Sequence, residues 1–476
     1  MKQNTRPSFG ASMFILGFLI VMMGISVLWL NIPVHMAMGI SLAVAVVTLV
    51  IKGNSWDSIV DAIIYGGKLA ISTVLILYVI GMVMGSWMAA GTVPMIIYWG
   101  LKVISPKAFL VTATLVCALT SLATGSSWST GGTVGVALMA VGAGLGISPA
   151  MTAGAVVSGS YFGDKMSPLS DTTNLAPGVA EGDIFDHIKA MFYTTIPSLT
   201  IALILYAVLG NKYGNQALDA ESITSTLEAL KTTFNLNILV LIPPILVIAF
   251  AIKKVPALPS LFISAMVASL IAIILQGETI TSITTIMDSG FSSSTGIAHI
   301  DKLLSRGGLQ NMSWTVSLTM IVMAYGAILE KLKVLEVVLE RFKSLTKTVG
   351  SLVASTVLTA IGINFATASQ YMSIVITGRL FVPAYKEKDM LPQTLSRTLE
   401  DAGTMTSPLV PWNVCAVFFA STLGVSTLAY APFAFLNWVT PLVAILFGFL
   451  GKFQWKTGDI PSSKTYRDEF SDEQSA

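Results

Sequence analysis

Along its length the chain alternates long apolar runs with short, polar, helix-breaking interruptions. "FILGFLIVMMGISVLWL" (14–30), "TIPSLTIALILYAVLG" (195–210) and "NILVLIPPILVIAFAI" (237–252) stay apolar for most of their length. Runs of this kind match a hydrocarbon core of roughly 30 Å and predict membrane helices. The strict alternation of a transmembrane barrel strand is absent from them. Four interruptions stand out. Two are knots of Gly, Ser and Thr at 123–130 and 364–370, each with apolar arms of roughly 16 residues on either side. Such arms are short for full spans and predict re-entrant helical hairpins. The other two, 164–177 and 402–411, are charged and contain proline; they predict unwound breaks within spanning helices. Pro168 and Pro408 cannot donate a backbone hydrogen bond, and Gly163 and Gly403 loosen the helix just before them.

The interruptions repeat. "ATLVCALTSLATGSSWSTGG" (113–132) follows the same pattern as "ASTVLTAIGINFATASQYMS" (354–373), with Ala123-Thr124 and Ala366-Thr367 243 residues apart. Ser167-Pro168-Leu169 and Ser407-Pro408-Leu409 are 240 apart, in the same order. This predicts an internal duplication. N-terminal scaffold helices occupy 1–69, and a first repeat 70–210 holds a hairpin (107–147) and a broken helix (149–180). Linker and scaffold helices follow at 211–312. A second repeat, 313–450, holds a hairpin (348–386) and a broken helix (391–425), and 451–476 is a polar cytoplasmic tail. The expected fold class is an all-α polytopic membrane protein with about ten transmembrane helices plus two re-entrant hairpins. An odd number of crossings between the halves makes the repeats inverted.

Composition sharpens this. The 476 residues are 54% hydrophobic and 11% charged, against about 25% charged in a soluble domain. The first run follows only Lys2 and Arg6, lacks a small-residue cleavage pattern and leads directly into a second apolar stretch, so it reads as a span, not a cleaved signal. Cys117 and Cys415 lie far apart in apolar context, and His35, His187 and His299 are scattered, so neither disulfide nor metal-site spacing is present. Loop charges set sidedness. With the N-terminus cytoplasmic, Lys52, Lys68, Lys253, Lys254, Lys331, Lys333, Arg341, Lys343, Lys347, Lys386 and Lys388 fall inside. Lys102, Lys107, Lys212, Lys231, Lys302 and Arg306 remain outside, in accord with the positive-inside rule.

Duplicated broken helices are the sequence sign of a midplane site in a secondary transporter. An interrupted helix frees backbone N–H and C=O groups that replace an ion's lost water. The tips offer Thr124, Ser126, Ser127, Ser129 and Thr130, and Asn364, Thr367, Ser369 and Gln370. The breaks offer Asp164, Ser167, Asp171, Thr172, Thr173 and Asn174, and Glu400, Asp401, Thr404, Thr406, Ser407 and Asn413. Hydroxyls are also ordinary packing groups in membrane helices, and "GAGLG" (142–146), with no preceding strand, reads as close helix packing. The carboxylates carry more meaning, because an ionisable group at membrane depth marks function by default. Desolvation favours a neutral acid and a bound cation favours the carboxylate, so one carboxylate can hold a proton or a sodium ion, not comfortably both. The candidate ion-binding residues are Asp164, Asp171, Thr172, Asn174, Glu400 and Asp401, with sodium at Asp164 and Asp171. The bland alternative is a neutralising contact, Asp164 with Lys165 or Glu400 with Arg397. Asp183 and Asp186 read as caps of the next helix.

"SGSYFGDKMSPLSDTTNLAPG" (158–178) followed by "LEDAGTMTSPLVPWN" (399–413) resembles the NhaC-type sodium/proton antiporter family, within the larger ion-transporter superfamily. The resemblance covers nearly the whole chain. It implies exchange of sodium for protons across a bacterial inner membrane, and a scaffold with a transport domain that moves as an elevator. It implies no cofactor beyond the transported sodium ions and protons, no nucleic-acid partner and no enzymatic activity, and it leaves a homodimer open. Relatives that carry malate and lactate, or amino acids, keep a second reading in view: a sodium- or proton-coupled carrier of a small carboxylate or amino acid. Motifs of a metalloprotease, a serine hydrolase or a phosphate-binding loop are absent.

Overall fold

The computed structural model describes residues 6–30, 32–214, 220–253, 255–296, 301, 304–339 and 347–456. Lys2, Lys254, His299, Lys302, Arg341, Lys343 and tail residues 457–476 lie outside them. The described chain is helical throughout, apart from one antiparallel bridge between Met390 and Lys456. Among the described residues seven helices are long and apolar enough to cross a membrane. Two bent pairs, Thr224–Thr233 with Ile238–Phe250 (97°) and Val414–Leu423 with Thr427–Phe433 (88°), bring the number to nine. The expected number of about ten leaves out both hairpins, whereas Pro106–Thr124 and Val349–Thr367 are among the seven, and Phe9–Ile25 and Phe435–Leu450 are apolar but only 17 and 16 residues long.

The frame is built on Trp56–Ala89, a 34-residue helix that packs along Leu309–Lys331 and Ala257–Gln276. Small residues allow the close approach. A Cβ on Gly66 would fall 2.4 Å from the carbonyl oxygen of Met323, and Gly308 donates its N–H to the Gly81 carbonyl at 2.7 Å. Such contacts are the usual means of bringing membrane helices together.

Each Gly/Ser/Thr knot is a turn between two helices. The first hairpin runs down Pro106–Thr124, turns at Gly125 and Ser126, and returns through Ser127–Thr130, a π-turn at Gly131–Gly135, and Val136–Gly144. The second runs down Val349–Thr367, turns at Ala368 and Ser369, and returns as Gln370–Glu387. The arms are longer than the roughly 16 apolar residues the sequence pattern indicates. Pro106–Thr124 and Val349–Thr367 have 19 each, because the helices run on into flanking polar residues. Arm length therefore does not distinguish a re-entrant hairpin from two spans. The first tip meets Asp164, near the middle of the run from Pro149 to Val179.

Both stretches contain a break, but a shorter one than 164–177 and 402–411: residues 164–166 and 171–177 are helical, and 402–406 continue their helix through a π-turn. Pro149–Met166 stops, four residues pass in extended or turn conformation, and Asp171–Val179 resumes. Pro392–Leu399 passes into a π-turn at Glu400–Thr404 and a short 3-10 turn at Ser407–Leu409, and the helix resumes at Val414–Leu423. Contacts at the ends fix how the two units lie. Glu181, just beyond the first broken helix, pairs with Lys386 at the root of the second hairpin at 2.6 Å, and Gly182 abuts Pro392. At the opposite end Gly154 abuts Phe433, beyond the second broken helix. The roots of the two hairpins thus lie at opposite ends of the bundle and their tips meet in the middle. The cations separate in the same way: Lys386, Lys388 and Lys347 gather at one end, where Lys388 donates to the Lys347 carbonyl. Lys107 and Arg306 lie at the other, against Gly210 and Gly424.

The first arm and the first broken helix touch backbone to backbone. A Cβ on Gly163 would fall 2.1 Å from the Leu122 nitrogen, and one on Gly159 would fall 2.2 Å from the Thr114 oxygen. Gly163→Ala should therefore lower stability by on the order of 1–3 kcal/mol, read as a lower unfolding temperature in detergent. Gly178→Ala, at a position with nothing within 4 Å, should leave it unchanged.

Candidate functional site

The two tips share one turn. The first arm ends with Gly125 in the left-handed region (φ 67, ψ 21) and the second with Ala368 in the same region (φ 53, ψ 27). An extended serine follows each. Ser126 Oγ accepts from the Ser129 N–H at 3.2 Å, and Ser369 Oγ from the Met372 N–H at 3.4 Å, so each starts the returning helix with a side-chain cap. Thr124 and Thr367 each reach toward the carbonyl of the capping serine at 3.5 Å. Sequence reasoning chose these residues for their oxygens. They also build the turn itself.

Asp164 is 6% exposed and is held across two elements. Ser127 Oγ of the first tip donates to Asp164 Oδ2 at 2.6 Å, and Ser170 Oγ of the break donates to Oδ1 at 2.7 Å. Thr173 steadies the unwound backbone by donating to the Asp164 and Lys165 carbonyls, both at 2.9 Å. Asp171 starts the resumed helix and is exposed to the cavity described below. Thr172 Oγ1 shares a hydrogen bond with Ser170 Oγ at 3.2 Å. Asn174 faces elsewhere: its amide donates to the Pro168 and Ser170 carbonyls and ties the break shut. Ser167 does similar work through the Leu169 N–H.

The second break is organised by amides. Asn364 Nδ2 donates to the Gly403 carbonyl at 2.6 Å and to Thr406 Oγ1 at 3.0 Å, and Asn413 Nδ2 donates to Asn364 Oδ1 at 3.1 Å. Ser407 Oγ bonds Gln370 Oε1 and Tyr161 Oη, which joins the second tip to the first broken helix. Glu400 and Asp401 are fully buried behind these groups. The neutralising contacts expected from sequence are re-partnered. Lys165 reaches not Asp164 but Asp401, which also accepts from Thr194 Oγ1 at 2.8 Å. Arg397 Nε lies 3.6 Å from Asp401, not paired with Glu400, and its Nη1 donates to the Phe453 carbonyl at 2.6 Å. Lys165 and Asp164 are adjacent and point different ways, whereas Arg397 has both Glu400 (i,i+3) and Asp401 (i,i+4) on its face and turns its Nε toward Asp401. Residues 452–456 fold back on this cluster, with the Trp455 ring 5.3 Å from the Arg397 guanidinium, so the start of the expected tail is a packed element. Asp183 caps the following helix as expected, accepting from the N–H groups of Phe185 and Asp186.

One cavity of about 760 Å³ gathers the interruptions. Thr124, Ser126 and Ser127 of the first tip line it, with Ser369 and Gln370 of the second, and Asp164, Asp171 and Thr172 of the first break. Val414 and Cys415 come from the end of the second break. Asn364, Thr367, Ser167, Thr404, Ser407, Asn413, Glu400 and Asp401 support the wall from behind it. Sequence reasoning missed Tyr65, Thr319 and Glu330 of the frame, which line the opposite wall with Arg379 of the second hairpin. Nothing in the local pattern distinguishes these residues from ordinary helix positions. Among the described residues no group of three or more His, Cys, Asp or Glu side chains is arranged to hold a metal. The site offers one cavity-facing buried carboxylate with hydroxyls and helix-end carbonyls, a donor set of hard oxygens.

Residues 159–452 match the family described as the Na+/H+ antiporter family, a stretch that includes both breaks and the second tip. The chain belongs to this family. It is 40% identical to the Na+/H+ antiporter NhaC of Alkalihalophilus pseudofirmus over 94% of this chain and 96% of that one. It is 35% identical to the malate-2H+/Na+-lactate antiporter of Bacillus subtilis, over 96% and 98%. With the arginine/ornithine antiporter ArcD of Halobacterium salinarum the identity is 39%, over 95% and 93%. The family is one of membrane transporters, and the apolar helices make this chain a multi-pass member of it.

Asp401 neutralises two buried cations, Lys165 and Arg397. Asp401→Asn should therefore cost about 3–5 kcal/mol. Adding Lys165→Met to it should recover part of that loss, measured as unfolding temperature in detergent; a double variant no more stable than Asp401→Asn would show that Lys165 and Asp401 are not coupled.

Proposed function

We propose that this protein exchanges sodium ions for protons across a bacterial inner membrane by alternating access. The observation that carries the reading is the position of Asp164. It is almost wholly buried, it faces the cavity, and it is held by hydroxyls from the first hairpin tip and the first break together. A small hard cation prefers such oxygens, and the freed carbonyls at the end of Pro106–Thr124 are available to complete its shell. Sodium is the cargo of this site, with Asp164 as its principal ligand and Asp171 at the cavity wall attracting it. A proton opposes sodium because the buried cluster cannot comfortably hold both positive charges.

The architecture suits this task. The hairpins and broken helices form two similar units of opposite direction, read here as inverted repeats that move together against the frame formed by Trp56–Ala89 and Leu309–Lys331. The cavity wall on the frame side includes Tyr65, whose ring lies under Lys331 Nζ at 4.0 Å, and Glu330 and Arg379. These residues lie toward the end richer in lysine. The positive-inside rule supports reading that end as cytoplasmic, with the N-terminus inside and the arrangement inward-open.

Purified protein in liposomes should dissipate an imposed pH gradient when sodium alone is added. A strict requirement for malate, lactate or an amino acid would reject the reading in favour of an organic-solute carrier. Asp164→Asn should insert and fold yet lose exchange; near-normal rates would remove Asp164 from the site. Asp171→Asn should raise the sodium concentration for half-maximal rate.

A further inference from the structure

The strongest unassigned observation is Glu400. Its side chain is fully buried, and neither oxygen has a hydrogen bond among the described residues. A buried carboxylate left without partners is costly, and such a group persists in a native structure only for a reason. Its surroundings carry opposing charges. Pro149–Met166 brings Lys165 and Asp164, and the Thr404 and Thr172 hydroxyls lie near it without reaching hydrogen-bond geometry. Thr404 Oγ1 is itself unpaired. Asp401 and Arg397 belong to its own run, Ile184–Gly214 contributes His187, and Gln370–Glu387 contributes Tyr385. Asp171 on Asp171–Val179 faces the cavity, and Val349–Thr367 and Phe435–Leu450 contribute no charged group.

The fixed charges limit what the two carboxyls can do, and the donors choose between them: Asp164 accepts from Ser127 and Ser170, which favours its ionised form, while Glu400 has no such donor among the described residues. Lys165 and Arg397 supply two positive charges and Asp401 one negative, leaving one positive charge to be balanced by Asp164 and Glu400 between them. With both of these ionised the cluster is one charge short, and a sodium ion at Asp164 restores neutrality. With sodium absent, a proton on Glu400 restores it equally. The cluster is neutral in these two occupancies, and Asp164 is ionised in both. Resting on the exchange reading above, we propose that Glu400 carries the exchanged proton while Asp164 holds the sodium, so that the two cargoes occupy different carboxyls and share one charge balance. Sodium arriving at Asp164 displaces the proton from the Glu400 carboxyl, which becomes a carboxylate. The proton leaves to the cavity past Thr172, whose side chain reaches the cavity wall and whose hydroxyl is bonded to Ser170, itself bonded to Asp164. Direct competition for the same oxygens is not required.

The test is proton release on adding sodium chloride to the full-length protein in weakly buffered detergent, with sodium affinity measured over a range of pH. Wild type should release a proton on binding sodium; no sodium-linked release from wild type would overturn the exchange reading itself. Glu400→Gln keeps the side chain neutral permanently. It should still bind sodium, with affinity weakened on the order of 5–150-fold and independent of pH, and should release no proton. Release equal to wild type from Glu400→Gln would overturn the assignment and return the proton to Asp164. Sodium-induced infrared difference spectra provide a second readout that does not need the glutamine variant to fold. The loss of a protonated-carboxyl band in wild type should shift in Glu400→Asp, and an unshifted band would equally overturn the proposal.

Discussion

Charge that has been removed from water must be balanced where it lies, and this constraint organises the centre of the molecule. Lys165, Arg397, Glu400 and Asp401 are all fully buried, and an unbalanced charge among them would be paid for in several kcal/mol. The two broken helices are therefore not independent units. Lys165 of the first is bound to Asp401 of the second, Tyr161 of the first to Ser407 of the second, and Thr194 of the helix between them to the same Asp401. Separating them would expose a charge to an apolar interior, so on the proposed reading these elements move as one block.

The unwound backbone needs equal care, because free N–H and C=O groups survive at depth only inside protein or beside a wet cavity. Short side chains satisfy them locally. Thr173 covers two carbonyls of the first break, Asn174 covers two more, and Asn364 covers the Gly403 carbonyl of the second. Much of the hydroxyl and amide density of the motifs is thus spent on holding the chain open, and only a few oxygens remain facing the cavity. Asp164 is the carboxylate around which those few converge.

The large features were legible in sequence because they are local. Apolar run length, the Gly/Ser knots at 123–130 and 364–370, and the proline breaks at 164–177 and 402–411 each report on a short stretch of chain, and each corresponds to a turn or break in the structure. The two tips even repeat residue by residue, Thr124-Gly125-Ser126 against Thr367-Ala368-Ser369. Partnerships were not legible. Lys165 lies next to Asp164 in sequence but bonds Asp401, 236 positions away, because only the packing of two distant helices decides which face each side chain meets. Tyr65 and Glu330 of the cavity's second wall escaped for the same reason, as they sit on frame helices whose own patterns are unremarked.

The two ends of the site are closed differently, and this bears on how access alternates. On one side the cavity extends between the hairpins and the frame to Tyr65, Glu330 and Arg379. On the other, the Trp128 ring stacks on Phe418 with centroids 4.6 Å apart and planes 8° from parallel, Phe418 meets Phe419, and Phe419 meets Tyr161. Gly131 accommodates this stack by leaving room for the Phe419 ring, which a Cβ would touch at 2.5 Å. An aromatic barrier of this density does not admit a hydrated ion by small fluctuations, since opening it would mean separating close-packed side chains. On the proposed reading the block of hairpins and broken helices carries the barrier with it. Access then changes by sliding the whole block along the frame, and Ser127 of the first tip and Ser170 keep their grip on Asp164 throughout.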